Sequence, residues 1–154
     1  MKKPPLLLFM LILLSMYSHA QLQNPVKWNF AIKKQGEKIY ELQIKASIEP
    51  GWHLYSQNAG DDLMATVFTF TPNPLIKLEG KVKESGDLKT LNDPKLRLHL
   101  NYYYEQVDFI QKIRMKANGN TVIKGIVSYV VCNDKDEKCL TTKKIPFSIA
   151  IAAK

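Results

Sequence analysis

The chain has two cysteines, Cys132 and Cys139, and the six residues between them, Asn133-Asp134-Lys135-Asp136-Glu137-Lys138, are all polar. Before them, Thr121 to Cys132 is β-branched and aromatic; after them, Ile145, Phe147, Ile149 and Ile151 alternate with small or polar residues. This reads as two strands flanking a charged loop, with the cysteines at its neck. Residues facing each other at a hairpin neck have Cα atoms about 4.5 to 5.5 Å apart, within the range a disulfide accepts. Two chemistries are open to such a pair. As a staple, a bridge closing a loop of about eight residues limits the denatured chain by roughly 2.5 kcal/mol, useful but not essential to a domain of ordinary size. As a redox centre, a bridge exposed at a loop neck can be reached by an attacking thiolate, and exposed disulfides are the labile ones. Lys138 beside Cys139 favours its thiolate, while Asp136 and Glu137 oppose that effect. The residues alone leave staple and exchange open.

Either chemistry needs an oxidising compartment. Lys2 and Lys3, the apolar run Leu6 to Leu14 and the small-residue site Ser18-His19-Ala20 have the three parts of a secretory signal, so residues 1–20 are expected to be cleaved after Ala20. Bacterial export leads to the periplasm, where disulfides persist. The apolar run is about half of the roughly 20 residues a membrane-spanning helix needs, and no later segment replaces it, so the mature chain is not expected to span the membrane. Removing the first 20 of 154 residues leaves 134, residues 21–154, the size of one domain. The formal charge of +8 falls to +6 without Lys2 and Lys3. The remaining lysines are spread along the chain with no dense basic stripe, which argues against a nucleic-acid partner. A solvated basic surface can still steer acidic partners.

The elements that must position the cysteines are strands. Val26 to Ile32 carries Trp28, Phe30 and Ile32 on one side; Gln35-Gly36-Glu37 turns the chain; and Tyr40, Leu42, Ile44, Ala46 and Ile48 then alternate with polar residues, as in a half-buried strand. Pro50-Gly51 ends it before Trp52 to Tyr55. Val67 to Thr71 is a short strand stopped by Pro72 and Pro74, Leu75 to Val82 another, and Lys83 to Leu96 has no steady period and reads as an irregular loop. Leu96 to Tyr103 and Gln106 to Met115 read as two strands separated by Tyr104-Glu105. In Tyr102-Tyr103-Tyr104, alternation sends the members to both faces, as ordinary sheet packing would. With no helical period and no internal repeat, the pattern predicts an all-β, immunoglobulin-like antiparallel β-sandwich. An inter-sheet disulfide of the usual immunoglobulin kind is excluded, because these cysteines are too close in sequence.

The order and spacing of Gly51-Trp52-His53-Leu54-Tyr55-Ser56-Gln57, Val67-Phe68-Thr69-Phe70, Val127 to Cys132, Cys139-Leu140 and Ile145-Pro146-Phe147-Ser148 resembles the amino-terminal periplasmic domain of the thiol-disulfide interchange proteins of the DsbD family, over essentially the whole mature chain. The resemblance implies a redox-active pair at one end of the sandwich, with protein-disulfide reductase activity that passes electrons between thioredoxin-like proteins. Carried over, Cys132 and Cys139 are the exchanging pair, with Cys139 the site of the mixed disulfide, and His53 and Tyr55 are the neighbours beside it. A loop capping the disulfide would fall within Lys83 to Leu96, where the family's aromatic shield has no clear equivalent, so that either Leu88, Leu91 or Leu96 substitutes for it or the cap is absent. The chain departs from the family in its longer interval between the cysteines and in Leu140-Thr141-Thr142 where the family has prolines. Because the family's membrane conduit and thioredoxin-like module are not in this chain, a separate membrane electron donor is expected, with a monomer, no cofactor and no metal. The competing reading is a non-catalytic exported binding module whose disulfide only fixes the hairpin; His53 and Tyr55 are then structural, and a zinc site built from the cysteines with His53 or His99 fits no usual spacing.

Overall fold

The apolar positions Tyr40, Leu42, Ile44, Ala46 and Ile48 are all buried along one face of strand β2 (Ile39–Ile48), as a period of two requires. A computed structural model describes residues 24–95, 97–136 and 138–152; the expected signal segment, Leu96 and Glu137 lie outside them. β1 (Val26–Gly36) pairs antiparallel with β2, placing Trp28 opposite Ala46 and Phe30 opposite Ile44. Their turn falls at Glu37-Lys38, where Lys38 takes φ 57°.

The remaining strands are β3 (Trp52–Tyr55), β4 (Val67–Phe70), β5 (Ile76–Asp93), β6 (Leu98–Met115), β7 (Thr121–Tyr129), β8 (Val131–Asn133) and β9 (Lys143–Ile151). One sheet runs β1-β2-β6-β3-β8 with β5 also paired to β6, and the second runs β4-β7-β9. Every pairing is antiparallel. The inner faces meet through aromatic pairs that cross between sheets: Trp28 on Tyr129 at 5.1 Å, Phe30 on Phe147 at 5.0 Å and Phe68 on Phe109 at 4.9 Å between ring centroids. Pro146 sits in β9, which pairs only with β7, so its missing N–H breaks no ladder. This is the all-β, immunoglobulin-like sandwich that the alternation predicts. No helix occurs among the described residues, and so none is long and apolar enough to cross a membrane.

Three expectations change. Lys83 to Asp93 is not an irregular loop but the outer half of β5, paired with β6 from Lys83↔Ile110 to Asp93↔Leu98. Residues Ser85 to Asn92 are exposed on both faces, so no core imposed an apolar period on them. The two strands expected at Leu96 to Tyr103 and Gln106 to Met115 are one, bent at Glu105 (φ 56°), where the β6 edge passes from β2 to β3. Conversely, the run to Cys132 divides at Val130 into β7 and β8, in different sheets. Tyr129, Val130, Val131 and Cys132 are all buried, because this segment crosses from one sheet to the other, and that continuous burial hid the break.

Candidate redox site

Register brings the site together. His53 lies opposite Cys132 across β3 and β8, and Tyr55 lies opposite Tyr102 across β3 and β6. Residues directly opposite share a face, and residues two apart on a strand share it too. Cys132, His53, Tyr55, Leu100, Tyr102 and Tyr104 therefore stand on the outer face of the six-stranded sheet, while Leu54, Tyr103 and Val131 point into the main core. Trp52 and Leu54 are buried on that inner side, which is why the strand presents only His53 and Tyr55 outward.

The cysteines bridge at the neck of their hairpin, as the spacing suggested. Asn133 N donates to Lys138 O at 2.9 Å and Leu140 N to Val131 O at 3.0 Å, leaving Cys132 and Cys139 in the non-hydrogen-bonded pair between them, disulfide-bonded with Cα atoms 3.9 Å apart. The two halves of the bridge are unlike: Cys132 is 2% exposed, whereas Cys139 is open to solvent. Lys138, the cation beside Cys139, is ion-paired with Asp136 at 3.4 Å.

A small second apolar cluster holds Cys132. Tyr55, Ala59 and Val130 are buried with it, and Met64, Ala65, Leu100 and Tyr102 pack around them. The cover over Cys132 thus comes from the β3–β4 connection, residues 56–66, and from β6. It does not come from Lys83 to Lys95, where Leu88 and Leu91 are exposed and outside this cluster, and the third candidate, Leu96, lies outside the described residues. The connection is tied down at both ends. Ser56 N donates to Asn101 O, Asn101 N to Ala59 O and the Asn101 side chain to Asn58 O, and the Thr66 hydroxyl donates to Tyr55 O at 2.6 Å. Glu84 accepts from the Ser56 hydroxyl and the Gln57 amide. Gly60, at φ +91°, lets the segment pass so close to β6 that an added Cβ would sit 1.8 Å from His99 O.

Beside the bridge runs a line of polar groups. The Tyr55 hydroxyl is 3.6 Å from Cys132 Sγ and 3.4 Å from His53 Nε2. His53 Nδ1 is 2.6 Å from Asp134 Oδ1, and the Tyr104 hydroxyl is 3.4 Å from the same oxygen. The His53 ring is walled by Tyr102 at 4.7 Å, Tyr55 at 5.3 Å and Tyr104 at 5.9 Å. Burial, then the neighbouring Tyr102 and Asp61, push the Tyr55 phenol above its ordinary value. Burial, then Tyr102 and Asp134, push Tyr104 up to about 12. Both hydroxyls thus remain donors at neutral pH.

The structure brings together all four residues singled out in the sequence, Cys132, Cys139, His53 and Tyr55. Asp134, Tyr102, Tyr104, Met64, Ala65 and Leu100 were missed as neighbours. Alternation in Tyr102-Tyr103-Tyr104 correctly separates the buried middle ring from its neighbours, but only the β3–β6 register shows that the outer two face His53. No three His, Cys, Asp or Glu side chains among the described residues cluster as metal ligands.

Comparison with known proteins bears on the family and the fold. The family model described as "Thiol:disulfide interchange protein DsbD, N-terminal" matches residues 19–148. The fold is similar to the Neisseria meningitidis DsbD N-terminal domain in the reduced form (16% identity, TM-score 0.59, 85% of this chain and 91% of that one). It is also similar to the complex between the DsbD N-terminal and PilB N-terminal domains of the same organism (15% identity, TM-score 0.54, 84% and 88%). A third similar structure is the N-terminal periplasmic domain of ScsB from Proteus mirabilis (11% identity, TM-score 0.57, 85% of this chain but 47% of that one). No curated protein sequence matches the chain.

Proposed function

This chain belongs to the DsbD amino-terminal domain family, and from that premise we propose that it is an exported periplasmic domain whose Cys132–Cys139 pair exchanges disulfides with thioredoxin-fold proteins. Residues 21–154 form the working domain after removal of residues 1–20, and it acts as a monomer without a cofactor. The observation that carries the reading is the asymmetry of the bridge: Cys139 is open to solvent while Cys132 is covered. A donor thiolate attacks Cys139 Sγ, the S–S bond breaks, and its electron pair leaves on Cys132 as a thiolate. The donor's second thiolate then attacks the mixed disulfide, releasing Cys139 as a thiolate and leaving the donor oxidised. The reduced pair passes the same two electrons to the disulfide of an acceptor. A separate membrane protein supplies the electrons to the donor side. That a DsbD N-terminal domain forms a complex with a PilB N-terminal domain supports a protein partner.

Cys132→Ser leaves Cys139 free to hold a partner, so the variant incubated with an oxidised thioredoxin-fold protein should accumulate a mixed disulfide through Cys139. The pair's reduction potential should lie near the thioredoxin value of about −270 mV, whereas structural disulfides lie below about −300 mV. Failure to trap any thioredoxin-fold protein, together with a potential in the structural range, would make the bridge a hairpin staple in a non-catalytic module.

A further inference from the structure

Resting on that exchange reading, we propose that Asp134 and His53 are positioning residues that aim the Tyr55 hydroxyl hydrogen at Cys132 Sγ when the imidazole is protonated and draw it away when the imidazole is neutral. Departure of the Cys132 thiolate is thereby tied to pH. The argument is one of counting hydrogens. A tyrosine hydroxyl has a single hydrogen to donate, and the Tyr55 oxygen faces two acceptors, His53 Nε2 at 3.4 Å and Cys132 Sγ at 3.6 Å. With the cysteines bridged, neither sulfur has a hydrogen of its own to offer.

Asp134 decides which nitrogen of His53 is available. Its carboxylate accepts only, so at 2.6 Å it holds the proton on Nδ1 in both charge states of the ring. In the neutral ring Nε2 is then a bare lone pair, and the Tyr55 hydrogen is drawn to it. In the imidazolium Nε2 carries a hydrogen, donates to the Tyr55 oxygen, and leaves the hydroxyl hydrogen free to point at Cys132. Once the thiolate of a dithiol has attacked Cys139 and the bridge has opened, that hydrogen meets the charge on the departing Cys132 sulfur. Hydrogen bonds to a charged acceptor are the stronger kind.

The groups that bear on the imidazole come from several elements. His53 is faced by Asp134 from the cysteine hairpin, by Tyr55 from its own strand, and by Tyr102 and Tyr104 from β6; Tyr55 is also faced by Asp61 from the β3–β4 connection. Tyr55 and Tyr104 keep their protons, being pushed upward. From β5, Lys89 lies opposite Tyr102 and bears on it electrostatically, while its ammonium is ion-paired with Asp87 at 2.8 Å.

The test is chemical and needs no biological partner. The purified protein is reduced by dithiothreitol across about pH 5 to 8, and each rate is divided by the concentration of attacking thiolate. The normalised rate should rise roughly three- to tenfold toward the acid end, the scale of one charge-assisted hydrogen bond acting partly in the transition state. Tyr55→Phe, which keeps the ring that packs on Cys132, should give a flat profile, as should His53→Gln; Asp134→Ala should lose most of the rise. Thermal melting of each variant separates loss of the hydroxyl from loss of the fold. A flat profile in the wild type, or a full rise in folded Tyr55→Phe or Asp134→Ala, overturns the proposal. Failed partner trapping would instead overturn the exchange reading, and would leave this profile interpretable.

Discussion

Replacing Gly60 by alanine should strip the cover from Cys132. At φ +91° any Cβ is disfavoured, and here it would also lie 1.8 Å from His99 O and 2.9 Å from His99 C, both backbone atoms of β6. No side-chain rotation relieves that overlap, so residues 56–66 must lift from the strand. The backbone conformation alone costs about 1–2 kcal/mol for a residue with Cβ. Lifting the segment also breaks the Asn101 bonds to Ala59 and Asn58, each contributing about 0.5–1.5 kcal/mol. Gly80→Ala separates the two effects, because Gly80 has φ +71° with nothing within 4 Å of an added Cβ, and it should show only the backbone cost. Denaturant unfolding should therefore give a loss of about 1–2 kcal/mol for Gly80→Ala and about 2–5 kcal/mol for Gly60→Ala. Reduction of the disulfide by dithiothreitol should accelerate only in Gly60→Ala, as Met64 and Ala65 move off the buried cysteine. Equal stability losses, or an unchanged reduction rate in Gly60→Ala, would refute the argument that this close approach holds the cover in place.

Two further outcomes follow from the same geometry. Tyr103 is pushed up to about 12 by burial and then by the Glu84 charge, and Tyr104 likewise to about 12 by burial, Tyr102 and Asp134. Because the folded values lie above the unfolded value of 10.0, both groups stabilise the fold fully below pH 10 and lose that contribution as pH rises toward about 12; Glu84→Gln should lower the Tyr103 midpoint in a phenolate absorbance titration. Reducing the Cys132–Cys139 bridge should lower stability by no more than roughly 2.5 kcal/mol and leave the near-ultraviolet circular dichroism largely native, since the Trp28, Phe109 and Tyr129 core lies in a separate cluster from Cys132; global unfolding on reduction would contradict this.

Much of this architecture was legible in local patterns. The alternation of Tyr40 to Ile48 and of Ile145 to Ile151 sets which side of a strand is buried wherever that strand has one wet and one dry face. The cysteine spacing, flanked by β-branched residues, likewise set a hairpin neck. Legibility failed where burial was not one-sided. Ser85 to Asn92 is wet on both faces and read as loop, while Tyr129 to Cys132 is dry on both and read as one uninterrupted strand.

The sequence by itself determined a run of β-strands with a cysteine pair at one hairpin neck, because strand alternation and turn chemistry are properties of adjacent residues. Only the tertiary structure decided what surrounds that pair. Which residue of β3 faces Cys132, which rings of β6 wall His53, and which segment covers the buried sulfur all depend on register between strands distant in the chain. Register is set by the packing of both sheets at once, and a shift of one residue would turn His53 and Tyr55 inward and present Trp52 and Leu54 in their place.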